Sequence, residues 1–225
     1  MYPTDRESLR NHVFSSNYGQ SREHLIERSG KNKIRRSPRG AASGGEKAGM
    51  DGFTQKSSFS FEDLIECGHG KLFGSGNAQL PLPPMLMFDR ITEISDDGGE
   101  YDKGLIVAEL DIKEDLWFYP CHFEGDPIMP GCLGLDALWQ MLGFYLGWLG
   151  LPGPGRALGV GEVKFAGEVK PSGTLLRYQV DVQKVLKRGF AIAVADGKAE
   201  LDGETVYTTA GLRVGLFPPS DKEAK

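Results

Sequence analysis

Apolar and polar residues alternate over long stretches in the second half of the chain, and a period of two is typical of β-strands with one buried face. In the first such stretch the apolar residues are Leu176, Tyr178, Val180 and Val182. The next stretch repeats the pattern, with alanines between, at Phe190, Ile192 and Val194. We therefore expect two strands that place these larger side chains against a core.

Start and stop signals elsewhere in the chain predict further elements. In chain order these are a short helix over residues 61–66 after the N-cap Ser60, strands at Met85–Ile94 and Leu105–Ile112, a hairpin turn at Leu201–Glu204 and a last strand at Thr205–Val214. Strands that surround one long helix, without alternating βα units, indicate an α+β fold with a mostly antiparallel sheet.

The long helix is predicted over Gly131–Leu149, where nearly every residue is apolar and no polar face remains. Such a helix must be enclosed by the rest of the protein, and we expect a sheet to wrap around it. Gly134, Gly143 and Gly147 each weaken the helix by ~1 kcal/mol relative to alanine, which indicates close approach by a strand or by a partner's backbone. Pro152 ends the apolar stretch short of the ~20 residues of a membrane span, so we predict no membrane insertion.

Candidate chemistry is concentrated around the start of this helix. Asp136 is the only formal charge in the helix, and it is either a proton donor or a group that bonds free amides near the helix start. His122 lies just before the helix and is either a general base or a structural histidine among aromatic residues. Between the two, the amides of Gly131, Cys132 and Leu133 form a site of positive potential for a polarised carbonyl. Together they predict an acid–base active site.

Other chemistries find less support in the sequence. A metal site built from Cys121, His122, Asp126 and Cys132 would lack a second histidine and matches no zinc spacing, so we expect no metal. Cys121 and His122 are neighbours in an extended segment, so their side chains point to opposite sides and form no nucleophilic pair. Phosphate-loop and dinucleotide motifs are missing, so we expect no nucleotide cofactor.

Composition restricts the kind of partner, the compartment and the domain organisation that we expect. The 225 residues carry a formal charge of −5, which gives the protein as a whole no electrostatic footprint for nucleic acid. The three cysteines follow no disulfide spacing, which indicates a reducing compartment such as the cytoplasm. Residues 1–49 carry ten basic and five acidic residues and few apolar ones, so we expect a basic, disordered extension before a single domain over 50–225.

A long motif resembles a known family. The run is His122-Phe-Glu-Gly-Asp-Pro-Ile-Met-Pro-Gly-Cys-Leu-Gly-Leu-Asp136-Ala-Leu-Trp-Gln140. It is similar to the active-site motif of the bifunctional 3-hydroxydecanoyl-acyl-carrier-protein dehydratase/isomerase family of bacterial fatty acid synthesis. Further matches lie at Leu82–Arg90, Gly155–Phe165 and Gly211–Phe217. The resemblance covers roughly Phe59–Phe217 and leaves out the first fifty residues.

The resemblance implies a hot-dog fold, in which a curved antiparallel sheet wraps a long helix, and a homodimer with shared active sites. His122 of one protomer would face Asp136 of the other and remove the C2 proton of a (3R)-hydroxyacyl thioester. An amide at Gly131, aided by Cys132, would hold the thioester carbonyl, and Asp136 would act on the departing hydroxyl. The sister dehydratase without isomerase activity has glutamate at this position, so aspartate favours the bifunctional branch.

The resemblance further implies no cofactor and an acidic acyl carrier protein as partner. A local basic patch is then expected, and Lys184, Lys187 and Arg188 near a strand-to-strand turn are the candidates, with ordinary surface charge as the alternative for each. Two other functions stay open, a hot-dog acyl thioesterase and a non-catalytic acyl-binding protein. The Pro-Gly context of His122 and Asp136 resembles the dehydratases more closely.

Overall fold

The computed structural model describes residues 48–49 and 53–218. The predicted N-terminal extension lies outside the described residues except for Ala48–Gly49, which form strand β1. This strand pairs with β2, Phe53–Thr54, in a two-stranded antiparallel sheet. The described residues after β2 form two helices and seven further strands.

The larger sheet contains all seven of these strands. The helices are α1 (Phe61–Gly68) and α2 (Gly131–Trp148), and the strands are β3 (Arg90–Ser95), β4 (Leu105–Asp111), β5 (Gly155–Gly159), β6 (Glu162–Phe165), β7 (Leu175–Lys187), β8 (Ala191–Leu201) and β9 (Glu204–Leu216). The strand order is β3-β4-β7-β8-β9-β5, and β6 pairs with β9 further along the same edge as β5. Neighbouring strands are antiparallel throughout. This is the expected α+β class, and the architecture is a hot-dog fold.

Caps and turn residues in the sequence predicted most of these elements correctly. Ser60 caps α1, because its hydroxyl accepts from the Asp63 amide while the Asp63 carboxylate accepts from the Ser60 amide. Asp202 and Gly203 both adopt positive φ, at 51° and 91°, as a two-residue hairpin turn between β8 and β9 requires. The predicted strand from Met85 is wrong over its first half, since β3 begins only at Arg90.

Helix α2 is enclosed as predicted, and β4, β5, β7, β8 and β9 contact it. Its buried residues include polar Gln140 as well as apolar side chains. The prediction of close approach at three of its glycines is wrong for Gly143, where a Cβ would meet only Val214 at an ordinary 3.7 Å. At the other two the approaching groups are aromatic side chains and not backbone. A Cβ on Gly134 would lie 2.4 Å from the Tyr207 ring, and one on Gly147 would lie 2.7 Å from the Phe73 ring. Neither helix in the described part of the chain has the length and hydropathy of a membrane-spanning helix.

The inward face of β7 is as predicted, but that of β8 is reversed. Leu176, Tyr178, Val180 and Val182 are all fully buried. On β8 it is Ala191, Ala193 and Ala195 that are buried, while Phe190 before the strand is 44% exposed and Ile192 and Val194 are half-buried. Small residues are required here because α2 lies close, and a Cβ on Gly197 of the same strand would meet Leu138 Cδ1 at 3.1 Å. The larger β8 side chains therefore lie on the outer face of the sheet.

Candidate active site

His122 lies in the turn that leads into α2, and the backbone around it fixes its ring. The Ile128 amide donates to the His122 carbonyl at 2.8 Å, and His122 Nδ1 lies 3.0 Å from the Ile128 carbonyl oxygen. A carbonyl oxygen only accepts, so Nδ1 must be the donor in this contact. In the neutral imidazole the proton is therefore on Nδ1, and Nε2 carries a free lone pair suited to a general base.

Three further sets of contacts hold this turn in place. The ring of Phe123 stacks on the His122 ring with centroids 4.0 Å apart. Phe123 and Asp126 exchange two backbone hydrogen bonds of 3.1 and 3.0 Å, which closes the turn between them. The Met129 amide donates to the Val169 carbonyl and ties the end of the turn to the segment after β6. His122 itself is half-buried, so a ligand can reach its ring.

The start of α2 offers two free backbone amides. Pro130 is the N-cap and supplies no side-chain hydrogen bond. The Leu133 amide donates to the Pro130 carbonyl at 2.9 Å, so the prediction that it faces a ligand is wrong. The amides of Gly131 and Cys132 have no partner among the described residues. The helix start therefore keeps the positive potential expected of it at these two residues.

Asp136 belongs to a different cluster of hydrogen bonds, centred on Gln140 one turn along α2. Gln140 Nε2 donates to Asp136 Oδ2 at 2.6 Å and to the Met85 carbonyl at 2.8 Å, while its Oε1 accepts from the Met87 amide at 3.2 Å. These backbone partners settle which end of the Gln140 amide is which. Asp136 is half-buried and does not bond the helix-start amides, so that alternative reading is wrong.

Gln140 is the site residue that the residue-by-residue reasoning missed, although it lies in the matched motif. A signal was available, since Gln140 lies four residues after Asp136 and side chains with this spacing share one face of a helix. Its side chain also explains why the predicted strand begins late. The backbone of Met85 and Met87 bonds to Gln140 and not to a neighbouring strand.

Within one chain, His122 and Asp136 are held separately. No hydrogen bond or ion pair joins them among the described residues, and their two clusters share no member. The same residues contain no group of three or more histidine, cysteine or acidic side chains placed to hold a metal ion. A cleft of about 410 Å³ lies on the outer side of the His122 turn, with Tyr119, Pro120, Phe123, Pro127 and Pro171 in its walls.

Comparison with known protein families matches residues 80–210, more than half of the chain, to the FabA-like domain. The chain belongs to the FabA-like family. The matched residues include both clusters of the site. Among solved structures, similarity extends to the dehydratase heterocomplex ApeI:P from Xenorhabdus doucetiae, with 18% identity over 64% of this chain and 91% of that chain and a TM-score of 0.46.

Two further solved structures are similar to this FabA-like chain. AziG from S. sahachiroi has 15% identity over 57% of this chain and 90% of that chain, with a TM-score of 0.41. A hypothetical thioesterase protein with coenzyme A from Streptococcus pneumoniae TIGR4 has 14% identity over 58% of this chain and 87% of that chain, with a TM-score of 0.40.

The FabA-like chain carries its predicted basic residues around the hairpin between β7 and β8. Lys184, Lys187 and Arg188 are all exposed there. Cross-strand register adds two arginines to them, because Lys184, Val194 and Arg213 form one row across the sheet and Leu186, Ile192, Gly215 and Arg156 form the next. None of these five cations forms an ion pair with another described residue.

Apolar side chains lie between these cations. Phe190 and Phe217 stack with centroids 6.0 Å apart, and each is more than a third exposed. A cleft of about 250 Å³ opens beside them, lined by Leu151, Pro152, Lys187, Arg188 and Pro218 among others. We call the five cations and these two rings the hairpin surface. It combines positive charge with exposed aromatic area.

The geometry of the His122 turn predicts a single tautomer. We expect neutral His122 to carry its proton on Nδ1, because the Ile128 carbonyl accepts from that atom. Long-range ¹⁵N–¹H NMR correlations on labelled protein report the protonated nitrogen directly. The exposed His69 serves as the internal control and should give the tautomer mixture of a free imidazole. A proton on Nε2 of neutral His122 would contradict the assignment of that atom as the base.

Proposed function

We propose that this chain dehydrates (3R)-hydroxyacyl thioesters of about ten carbons, carried on acyl carrier protein, and isomerises the product. Dehydration gives the trans-2-enoyl thioester, and isomerisation gives the cis-3-enoyl thioester of unsaturated fatty acid synthesis. The proposal depends above all on His122, whose Nδ1 is engaged by a backbone carbonyl, so that Nε2 of the neutral ring is unprotonated. The turn that holds His122 leads directly to the two free amides at the start of α2. Membership of the FabA-like family supports the same class of reaction.

The proposed chemistry divides the work among three groups. Nε2 of His122 removes a proton from C2, and the electron pair moves into the thioester carbonyl, whose oxygen is held by the amides of Gly131 and Cys132. The enolate then expels the 3-hydroxyl, which takes a proton from Asp136 and leaves as water. Isomerisation uses the same pair of groups to move a proton between C4 and C2. Aspartate at position 136, where the non-isomerising sister family has glutamate, supports the bifunctional reaction.

The two groups require a second copy of the chain. In one protomer the clusters of His122 and Asp136 are separate, as described above. The outer edge of β5 and β6 pairs with no strand in the described part of the chain, and Leu158 of β5 is 45% exposed. An open apolar edge of this kind is suited to pairing with another chain. We therefore propose a homodimer in which His122 of one protomer faces Asp136 of its partner.

The hairpin surface is the proposed docking site of the acidic carrier protein. Its five unpaired cations attract an acidic partner, and Phe190 and Phe217 offer apolar area to the same partner. Lys184, Lys187 and Arg188 are the residues expected from the sequence, and Arg156 and Arg213 extend the patch across β8 and β9.

The three cysteines at positions 67, 121 and 132 are unpaired, which suits the reducing cytoplasm where we place the reaction.

The activity is tested by incubating the protein with 3-hydroxydecanoyl thioester and identifying the products. We expect the trans-2 and cis-3 decenoyl thioesters, and a fall in kcat on the order of 10²-fold or more for His122→Ala and for Asp136→Asn, because each removes one acid–base group. His69→Ala and Asp115→Asn, at exposed positions, are the matched controls and should retain full activity. Free 3-hydroxydecanoic acid as the product would support a thioesterase, and binding without turnover would support an acyl-binding protein.

The docking site is tested by reversing charge on the hairpin surface. Lys187→Glu combined with Arg188→Glu should raise KM for the carrier-bound substrate by about tenfold and flatten its dependence on salt concentration, because exposed charges act through screened attraction. Turnover of the small N-acetylcysteamine thioester should not change. Lys103→Glu, an exposed lysine elsewhere, is the control. An equal effect on both substrates would place the damage in the active site and not at a docking surface.

A further inference from the structure

Phe165 lies at an unusual position for a large apolar side chain. It is the last residue of β6 and is paired in register with Tyr207 of β9. Side chains of directly paired residues lie on the same face of a sheet, and Tyr207 is buried on the face that covers α2. Phe165 therefore lies on the inner face, yet it is 54% exposed. About half of this inward-facing side chain is therefore open to a ligand.

The ring of Phe165 reaches the first residue of α2. A Cβ built on Gly131 would lie 2.7 Å from Cε1 and 3.0 Å from Cδ1 of that ring. A side chain at position 131 would collide with the ring in this position, so the packing requires glycine there. The ring is thus packed directly against the residue whose amide is free at the helix start.

The ring of Tyr207 also contacts the Phe165 ring. The rings of Phe165 and Tyr207 meet edge to face, with centroids 5.3 Å apart and an interplanar angle of 84°. Tyr207 in turn packs over Gly134, one helical turn after Gly131. Burial raises the pKa of Tyr207 to about 12, so this phenol is neutral and contributes no charge to the site. The Phe165 ring thus contacts both Gly131 at the helix start and Tyr207, and it is still 54% exposed.

Resting on the proposed function, we infer that Phe165 is a substrate-contacting residue that forms the apolar wall beside the thioester carbonyl. The carbonyl oxygen binds the amides of Gly131 and Cys132, and the acyl carbons next to it pack against the exposed part of the ring. The contact involves the carbons nearest the thioester and not the far end of the chain. Its contribution is therefore the same for short and long acyl groups.

The test compares Phe165→Ala with Phe61→Ala, a matched control in which an equally large ring, 41% exposed, is removed from helix α1. Binding is measured by calorimetry with saturated butanoyl and decanoyl pantetheine thioesters, which have no 3-hydroxyl and cannot be dehydrated. We expect Phe165→Ala to weaken the binding of both by about tenfold, as loss of part of a buried ring predicts. Phe165→Tyr, which keeps the ring, should restore binding, and Phe61→Ala should change nothing.

Turnover of 3-hydroxyacyl thioesters by the same variants separates this inference from the proposed function. We expect Phe165→Ala to raise KM about tenfold for four-carbon and ten-carbon substrates alike, with a smaller change in kcat. If Phe165→Ala weakens binding but the unmodified protein shows no turnover, the contact between Phe165 and the ligand is supported and the proposed dehydratase activity is contradicted. Unchanged binding, a loss confined to the ten-carbon ligand, or a fall in oligomeric mass with Phe165→Ala would each overturn the inference.

Discussion

Helix α2 has no polar face, and the rest of the structure is arranged around the need to cover it. Five strands contact the helix, and the strand beneath it carries alanine and glycine at the positions that face it. Its first turn keeps two backbone amides, those of Gly131 and Cys132, without a partner among the described residues. The enclosed part of α2 supplies rigidity and the open start supplies the site. A helix that must be buried thus provides a firm, positively polarised end for a ligand.

Each of the two proposed acid–base groups is held by contacts within its own chain. The imidazole of His122 is fixed by Ile128 within its own turn, and the carboxylate of Asp136 is fixed by Gln140 on its own helix. Both clusters are already formed within a single chain. The proposed dimer therefore assembles a site from two preorganised halves, which is the arrangement that favours catalysis by fixed dipoles and positioned groups.

Elements with local signals were predictable from the sequence, and positions set by tertiary contacts were not. The cap of α1, the hairpin turn at Asp202 and the extent of α2 depend on neighbouring residues alone. The alternation of larger apolar residues and alanines along β8 predicts two faces but not which of them is inward. Because α2 packs closely against this strand, the small residues face the helix. The loop around Met87 replaces a predicted strand because Gln140, distant in sequence, bonds its backbone. The candidate site residues could be recognised in the sequence from their residue types and the motif that contains them. The tautomer of His122 and the hydrogen-bond partners of His122 and Asp136 depend on the folded structure.

In the proposed dimer, each active site combines His122 of one protomer with Asp136 of its partner. Mixing His122→Ala and Asp136→Asn subunits under conditions that exchange protomers examines this pairing. Each variant is expected to be nearly inactive alone, but a mixed dimer contains one site in which both groups are intact. We expect recovery of about a quarter of the unmodified activity after random exchange. Activity that stays at the level of the unmixed variants would contradict this pairing.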